Sequence, residues 1–438
     1  MNITVRRPYQ VEGRTSNDIV QSVEGALRRG QVNPGERLPP VRQLATELGV
    51  SPATVASAYR ELHRRGVASG SGRAGTRIRQ RPPLATRAAL RVPAGVRDLV
   101  SGEPDPALLP ALPRFKASRG SYTDPSVSPR LRRVAAENLA ADGIDPSYLA
   151  AVGGALDGVE RVLGAWLRPG DRVAVEDPCY GAVLDLLAAM GLEALPVAVD
   201  ERGARPAGVR AALRQGAVAA IFTPRAQNPT GAAWDTERTA LVRRELADSP
   251  QVLVVEDDHA GPVSGTPAHS VGGATERWAT VRSVSKWLGP DLRLALVAGD
   301  EATVARVEGR QALGTGWVSY LLQDAAAELW SRPGTAELLA HASRSYAARR
   351  QSLQELLRRA GHPVRGRSGL TTWLPVDDEL AVVSGLMEAG WAVAPGERFR
   401  ISSPPAVRIA HATLGPEEAA QLVADLSQAL RRSPQRSA

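Results

Sequence analysis

The chain has 438 residues, and because one domain usually takes ~100 to 200, two or three domains are expected. Its 43% hydrophobic content is that of a globular protein, its single cysteine, Cys179, excludes an intramolecular disulfide, and no run approaches the ~18 apolar residues of a membrane helix. The net charge of +8 is unevenly spread: residues 1 to 90 hold 15 arginines against 6 acids, whereas residues 91 to 438 hold 39 basic and 40 acidic residues. A small basic segment ahead of a nearly neutral one points to a polyanionic partner for the first part, or to a solvated tail. The polar N-terminus, with Arg6 and Arg7 and no apolar stretch, leads us to expect a cytoplasmic protein. Of the 54 basic residues only Lys116 and Lys286 are lysines, so a lysine inside a motif is hard to dismiss as filler.

Periodicity argues against a tail. Ile19, Val20, Val23, Ala26 and Leu27 recur at helical spacing after Ser16 and Asn17, either of which can cap, and Gly30 ends that helix. Asn33-Pro34-Gly35 is a turn; Val41, Leu44, Ala45 and Leu48 form one face of a short second helix, and Gly49 permits the tight turn after it. Ser51 is placed as an N-cap with Pro52 at the first helical position, and Val55, Tyr59 and Leu62 repeat along a third helix that stops at Gly66. Short strands near Val67 and over Thr76 to Ile78 flank Gly70-Ser71-Gly72-Arg73-Ala74-Gly75. The pattern is a helix-turn-helix followed by a wing.

The stretch from Pro34 to Ala45, then Leu48 to Val55, Tyr59-Arg60-Glu61-Leu62 and the glycine-rich wing resembles the winged helix of GntR-type transcription regulators over about 65 residues. Such a motif places the start of its second helix in the major groove, where Arg reads guanine edges. The resemblance implies a double-stranded DNA operator as partner, with Arg42, Ser51, Thr54 and Arg73 at the DNA face. The family usually has Arg where this chain has Pro52, which removes one usual contact.

Arg79 to Arg87 lacks an apolar period, holds a Pro pair and reads as a semi-extended linker, with boundaries at residues 79 to 97. Beyond Asp98, apolar β-branched runs (Arg172 to Val175, Ala219 to Phe222, Val252 to Val255, Leu294 to Val297) alternate with Ala- and Leu-rich helical stretches. Continuous apolar strands between helices indicate an α/β domain with a mostly parallel central sheet and helices on both faces.

Lys286 follows one such strand, in Ser283-Val284-Ser285-Lys286-Trp287-Leu288-Gly289-Pro290-Asp291-Leu292-Arg293. A lysine in a dry site loses its proton easily and attacks aldehydes, which is the requirement of pyridoxal 5′-phosphate. The surrounding motifs resemble fold type I, class I aminotransferases from about Asp98 to Leu430, with residues from about 330 as a smaller C-terminal α+β subdomain. By that resemblance, Asp257 in Glu256-Asp257-Asp258-His259 pairs with the pyridinium, Asn228 in Gln227-Asn228-Pro229-Thr230-Gly231 bonds the phenolic oxygen, and Tyr180 in Asp177-Pro178-Cys179-Tyr180 stacks on the ring. Gly154 and Ala155 open a helix whose free N–H groups can hold phosphate, with Ser283 and Arg293 completing the cup. Tyr122 resembles a tyrosine that reaches the phosphate from a neighbouring subunit. Arg408 in Ala406-Val407-Arg408-Ile409-Ala410 resembles the grip on a substrate carboxylate, and Arg225 beside the cofactor face is a second candidate for an anion, or a structural salt bridge. His259 stands where tyrosine is common; an imidazole still donates to the phenolic oxygen, but its charge is expected to vary near neutral pH. No metal site is expected.

A GntR-like winged helix at 1–78, a linker at 79–97 and an aminotransferase-like domain at 98–438 is the arrangement of MocR-type regulators. The resemblance implies a head-to-tail homodimer that senses an amine, an amino acid or the cofactor through a Schiff base at Lys286 and so alters operator binding. The alternatives are a catalytically active aminotransferase with an accessory winged helix, and a DNA-binding protein whose large domain only dimerises.

Overall fold

The structure, a computed structural model, describes residues 11–28, 31–32, 35–64, 67–69, 75–78, 92–112, 118 and 120–432. The wing residues 70–74 with Arg73, Asn33-Pro34, the helix stops Gly30 and Gly66, residues 79–91 of the linker and Lys116 lie outside the described residues.

In the head, α1 (Ser16–Arg28), α2 (Val41–Leu48) and α3 (Pro52–Arg64) pack Ile19, Val20, Val23, Leu44, Val55 and Leu62 into one core with Ile78. The cap of α1 is Thr15, where the sequence pointed to Ser16 or Asn17. Asp18 donates its N–H to Thr15 Oγ1 at 3.2 Å, and its carboxylate accepts from the Thr15 N–H at 3.0 Å, a reciprocal capping box one residue earlier than the helical pattern indicated. Gly49 ends α2 with φ +64°, where a side chain would be strained, and Ser51 caps α3 by accepting from the Thr54 N–H at 3.1 Å. The strands β1 (Ala68–Ser69) and β2 (Arg77–Ile78) pair antiparallel, Ala68 opposite Ile78.

The large domain opens with β3 (Arg97–Asp98), α4 (Pro129–Ala141), β4 (Leu149–Val152), α5 (Ala155–Trp166), β5 (Arg172–Asp177), α6 (Gly181–Ala189), β6 (Glu193–Asp200) and β7 (Gly203–Ala204). It continues through α7 (Pro206–Arg214), β8 (Ala219–Phe222), α8 (Thr236–Ala247), β9 (Leu253–Asp258), β10 (Arg277–Ser283), β11 (Ala295–Gly299), α9 (Glu301–Ala312) and α10 (Tyr320–Ser331). Eight strands form one sheet in the order β4-β11-β10-β9-β8-β5-β6-β7. The run β5-β8-β9-β10 is parallel, and β11 is antiparallel to both neighbours. Every residue of β8, β9 and β11 is buried, as a sheet covered by helices on both faces requires.

That topology gathers the site. β4, β5, β8, β9 and β10 end at the same sheet edge, and antiparallel β11 starts there, with Val152 and Ser283 both opposite Ala295. The turns after five strands and before a sixth therefore converge outside the carboxyl ends of the parallel strands, where ligands bind in open α/β sheets.

The smaller subdomain holds α11 (Thr335–Arg359), β12 (Thr371–Pro375), α12 (Glu379–Glu388), β13 (Trp391–Ala392), β14 (Ala394–Pro395), β15 (Ala406–Ala410) and α13 (Pro416–Arg432), with an antiparallel sheet β12-β15-β14. β3 pairs with β13, and Leu99 packs in this subdomain's core with Leu353, Val407 and Leu422. Arg97, the last residue assigned to the linker, is thus already folded, its guanidinium 2.8 Å from Glu418. Among the described residues no helix is long and apolar enough to cross a membrane, and no cluster of His, Cys, Asp and Glu could hold a metal.

Candidate functional site

A cavity of about 190 Å³ opens at the converging turns, lined by Ala155, Tyr180, Asn228, Asp257, His259, Ser283, Lys286, Arg293 and Arg408 among others. Nine residues singled out from the sequence thus meet in one place, drawn from six strand ends and the smaller subdomain.

Lys286 follows β10 and donates from Nζ to the Gly102 carbonyl at 2.8 Å. Burial, and then the Arg408 guanidinium, push its ammonium down to about 8, so a substantial fraction is free amine at slightly alkaline pH. Asp257, near the end of β9, is buried, and its Oδ1 has no hydrogen-bond partner. Burial, and then the adjacent Asp258, push it up to about 7. An unpartnered carboxylate oxygen facing a cavity that holds an amine is costly unless a cationic donor occupies the space. His259 is pushed down to about 4 by burial and by Lys286. This corrects the expectation of a charge that varies near neutral pH: the imidazole is uncharged there.

The phosphate end is a cradle. Gly154, at φ +112°, a backbone conformation that strains any side chain, precedes α5, and a Cβ on it would lie 2.9 Å from Arg293 Nη2, the guanidinium that donates to the Gly153 carbonyl at the helix start. A cation against the positive end of a helix is favourable only with an anion between them. Arg293 and Ala226 are the only described non-glycine residues with positive φ, +44° and +53°, and both line the cavity. Such strain, ~1–3 kcal/mol each, clusters at ligand sites. Ser283 Oγ accepts from the Ser285 N–H at 3.2 Å. Tyr180 presents its ring with 39% of its surface exposed, and burial of the rest pushes its phenol up. An amine, an orphaned carboxylate oxygen, an aromatic face and an anion cradle fit pyridoxal phosphate.

Arg408, at the centre of β15, donates to Asn228 Oδ1 at 3.1 Å and to the Val100 carbonyl, and lies 4.6 Å over the Phe399 ring. Burial pushes it down to about 10, and its Nε has no partner.

Five assigned residues are elsewhere. Arg225 does not line the cavity: its Nε and Nη2 each donate to Asp258 at 2.8 Å and Nη2 also reaches half-buried Asp142 at 2.9 Å, which is the structural salt bridge of its two readings and not the anion contact. Tyr122 is 94% exposed, edge-on to Trp317 and outside the cavity of its own chain. In the head, Arg42 and Ser51 are exposed and Thr54 half-buried, with the two hydroxyls 2.9 Å apart.

Sequence reasoning missed Ser101, Gly102, Ser285 and Thr371 on the lining, and Phe399 beneath Arg408. The Gly-Pro turn Gly102-Glu103-Pro104, right after the apolar Leu99-Val100, was the available signal for the first two; Thr371 and Phe399 come from the smaller subdomain and carry none. Also missed was Asp177, whose carboxylate accepts from the N–H groups of Ile401, Ser402 and Ser403 at 2.8 to 2.9 Å and so ties the smaller subdomain to the end of β5.

The gntR family of bacterial regulatory proteins matches residues 15–78, and the aminotransferase class I and II family matches residues 98–426. Over 96% of its length the chain is 41% identical to the whole of the vitamin B6 salvage pathway transcriptional repressor PtsJ of Salmonella typhimurium. It is 27% identical, over 96% of its length and 97% of the other's, to the HTH-type transcriptional regulator TauR of Rhodobacter capsulatus. Among solved structures, LysN, the alpha-aminoadipate aminotransferase of Thermus thermophilus, shares the fold with a TM-score of 0.69 at 22% identity, over 79% of this chain and 94% of its own. A winged head that binds DNA, joined to a domain of the aminotransferase class I and II family whose cofactor is pyridoxal phosphate, places this chain in the MocR-type subfamily of GntR transcription regulators.

Proposed function

We propose that this chain is a cytoplasmic repressor that senses a vitamin B6 compound, pyridoxal phosphate itself, at Lys286 and changes its operator affinity in response. In this reading residues 1–78 are the operator-binding head, 79–97 the linker, and 98–438 the sensing domain, working as a head-to-tail homodimer. The observation that carries it is Lys286, held by the Gly102 carbonyl at 2.8 Å in the same cavity as the unpartnered Asp257 Oδ1. The 41% identity to a repressor named for vitamin B6 salvage supports the choice of ligand.

When bound, pyridoxal phosphate supplies an aldehyde that condenses with a primary amine and a ring that absorbs visible light. Lys286 provides the amine, which burial keeps partly unprotonated. Asp257 Oδ1 would hold the ring nitrogen, Asn228 and neutral His259 the phenolic oxygen, and Tyr180 the ring face. Gly154, Ala155, Ser283 and Arg293 would hold the phosphate, with Tyr122 of a second copy closing the cup. Arg42, Ser51, Thr54 and Arg73 would contact the operator. A ligand changes operator binding only through the difference in its affinity for two states of the domain.

Arg408 in the cavity, with its unpartnered Nε, favours a second reading in which an amino acid carboxylate is gripped there and the domain transaminates. Titrating the purified chain with pyridoxal phosphate, other vitamin B6 forms and amino acids, read by visible absorbance and by operator affinity, separates the two. The repressor reading expects the B6 compounds to move operator affinity. Steady turnover of an amino donor and a keto acid at ~1 to 10³ per second, with no effect on operator binding, would replace it with the enzyme.

A further inference from the structure

Asp257 and Asp258 are consecutive on β9, so their side chains point to opposite faces of the sheet. Asp257 faces the cavity. Behind it, Asp258 is 2% exposed and accepts from Arg225 Nε and Nη2 and from Arg282 Nε, all at 2.8 Å. Arg282 is the cross-strand partner of Asp258 on β10 and is fully buried. Its Nη1 donates to Asn138 Oδ1 at 2.6 Å, and its Nη2 lies 2.7 Å from Asp142, close but not aligned for a hydrogen bond. Asp142, the C-cap of α4, also takes Arg225 Nη2 at 2.9 Å, so both guanidinium groups meet the negative end of a helix. The four side chains carry two positive and two negative charges and sum to zero.

We propose that the quartet formed by buried Arg225, Asp258 and Arg282 with half-buried Asp142 is a charge-balancing positioning device that sets the charge state of Asp257 and, through it, the grip on the cofactor's ring nitrogen. The proposal rests on the cofactor reading above for its second half only. Two buried carboxylates on neighbouring residues oppose each other's ionisation, and here one of them is given two guanidinium groups of its own. Burial alone would raise Asp258, but Arg225 and Arg282 override it and hold the carboxyl well below the usual range. The other charged neighbours of Asp257 do not do this work. Glu176 on β5 is pushed up to about 8 by burial and adds little negative charge near neutral pH, and Glu256 on β9, also pushed up by burial, spends its oxygens on Ser270, Val271 and Thr280. Asp157 on α5 is paired with Arg161 at 2.9 Å. His259 is neutral, and Tyr180, Lys286, Arg293 and Arg408 belong to the cavity itself.

The test is a pH titration of the Asp257 carboxyl carbon by NMR in the cofactor-free full chain, its signal assigned by loss in Asp257→Asn. The visible band of the loaded chain is followed as a second readout. Arg225→Gln leaves the quartet net negative and should raise the Asp257 midpoint by about one pH unit, whereas Asp258→Asn leaves it net positive and should lower it by a similar amount. The double variant Arg225→Gln/Asp258→Asn restores neutrality and should return near the wild-type midpoint, although it destroys more contacts than either single change. Arg225→Gln strips a buried pair and endangers the fold, so Asp142→Asn, at the partly exposed rim, and charge-preserving Arg225→Lys accompany it. Asp142→Asn should lower the midpoint and Arg225→Lys should leave it. Shifts of one sign in all variants, no shift, or a double variant worse than both singles would overturn the proposal. A wild-type chain that titrates as expected but takes up no pyridoxal phosphate would instead sink the cofactor reading alone.

Discussion

The head and the cavity use charge in opposite ways. In the head Arg37, Arg42 and Arg60 are exposed, and charges so placed attract a polyanion through a field that salt screens. In the cavity Asp257 and Arg408 are buried, each with an unpartnered atom, and Lys286 is half-buried beside them. The contrast teaches that a polymer is recognised by many replaceable groups, and a small aldehyde by few irreplaceable ones. Substitutions should therefore hurt the two regions unequally.

The largest effect is expected at Lys286. Lys286→Ala removes the only described primary amine side chain, and the visible band of bound pyridoxal phosphate should vanish while the thermal midpoint of the cofactor-free chain stays or rises; a band that survives would break the comparison at its strongest point. Next comes Gly154→Ala. Its Cβ would meet Arg293 Nη2 at 2.9 Å at a backbone φ of +112°, so cofactor affinity should fall by ~1–3 kcal/mol. Operator binding of the cofactor-free chain should not change. In the head, Arg42→Ala should lower operator affinity by ~1 kcal/mol and leave the fold intact, since a single exposed contact among many is being lost. A loss as complete as that at Lys286 would mean that the head, too, depends on one residue.

The smallest effect is a pH dependence. Lys286 titrates at about 8 in the folded chain and at 10.5 ordinarily. Between those values the unfolded chain holds a proton that the folded chain has released, so the lysine's penalty on folding fades as pH rises through that window. Cofactor uptake, which needs the free amine, should climb up to pH ~8 and then level. Uptake that keeps climbing through pH 9 without levelling would place the amine in an ordinary, unburied setting.

The same contrast explains what could be read from the sequence. Lys286, Asp257, Asn228 and Tyr180 were legible because each is tied to a strand end by short-range pattern, an apolar run and then a turn with the chemistry on it, and Arg408 because it is the one charge inside the apolar strand β15. Arg225 was left between an anion contact and a salt bridge because it lies on the same kind of turn, three residues from Asn228, and its direction is set by Asp258 and Arg282, whose approach is a matter of strand register. Thr371, Phe399 and the Asp177 clasp were illegible for the same reason: they depend on the smaller subdomain closing over segments far earlier in the chain, 142 residues away for Thr371 and Pro229 and 224 for Ile401 and Asp177. The cap of α1 was missed by one residue, because the helical pattern locates a face and not an end.

The claim that binds both regions is that occupancy of the cavity governs the head. Its most direct test is the dissociation constant of the full chain for a DNA fragment selected from a random pool by the chain itself, measured with and without pyridoxal phosphate in the wild type and in Lys286→Ala. The account predicts a change of ~5–150-fold on adding the compound to the wild type, and none in the variant. One constant for the wild type, whether or not its cavity is filled, would contradict it.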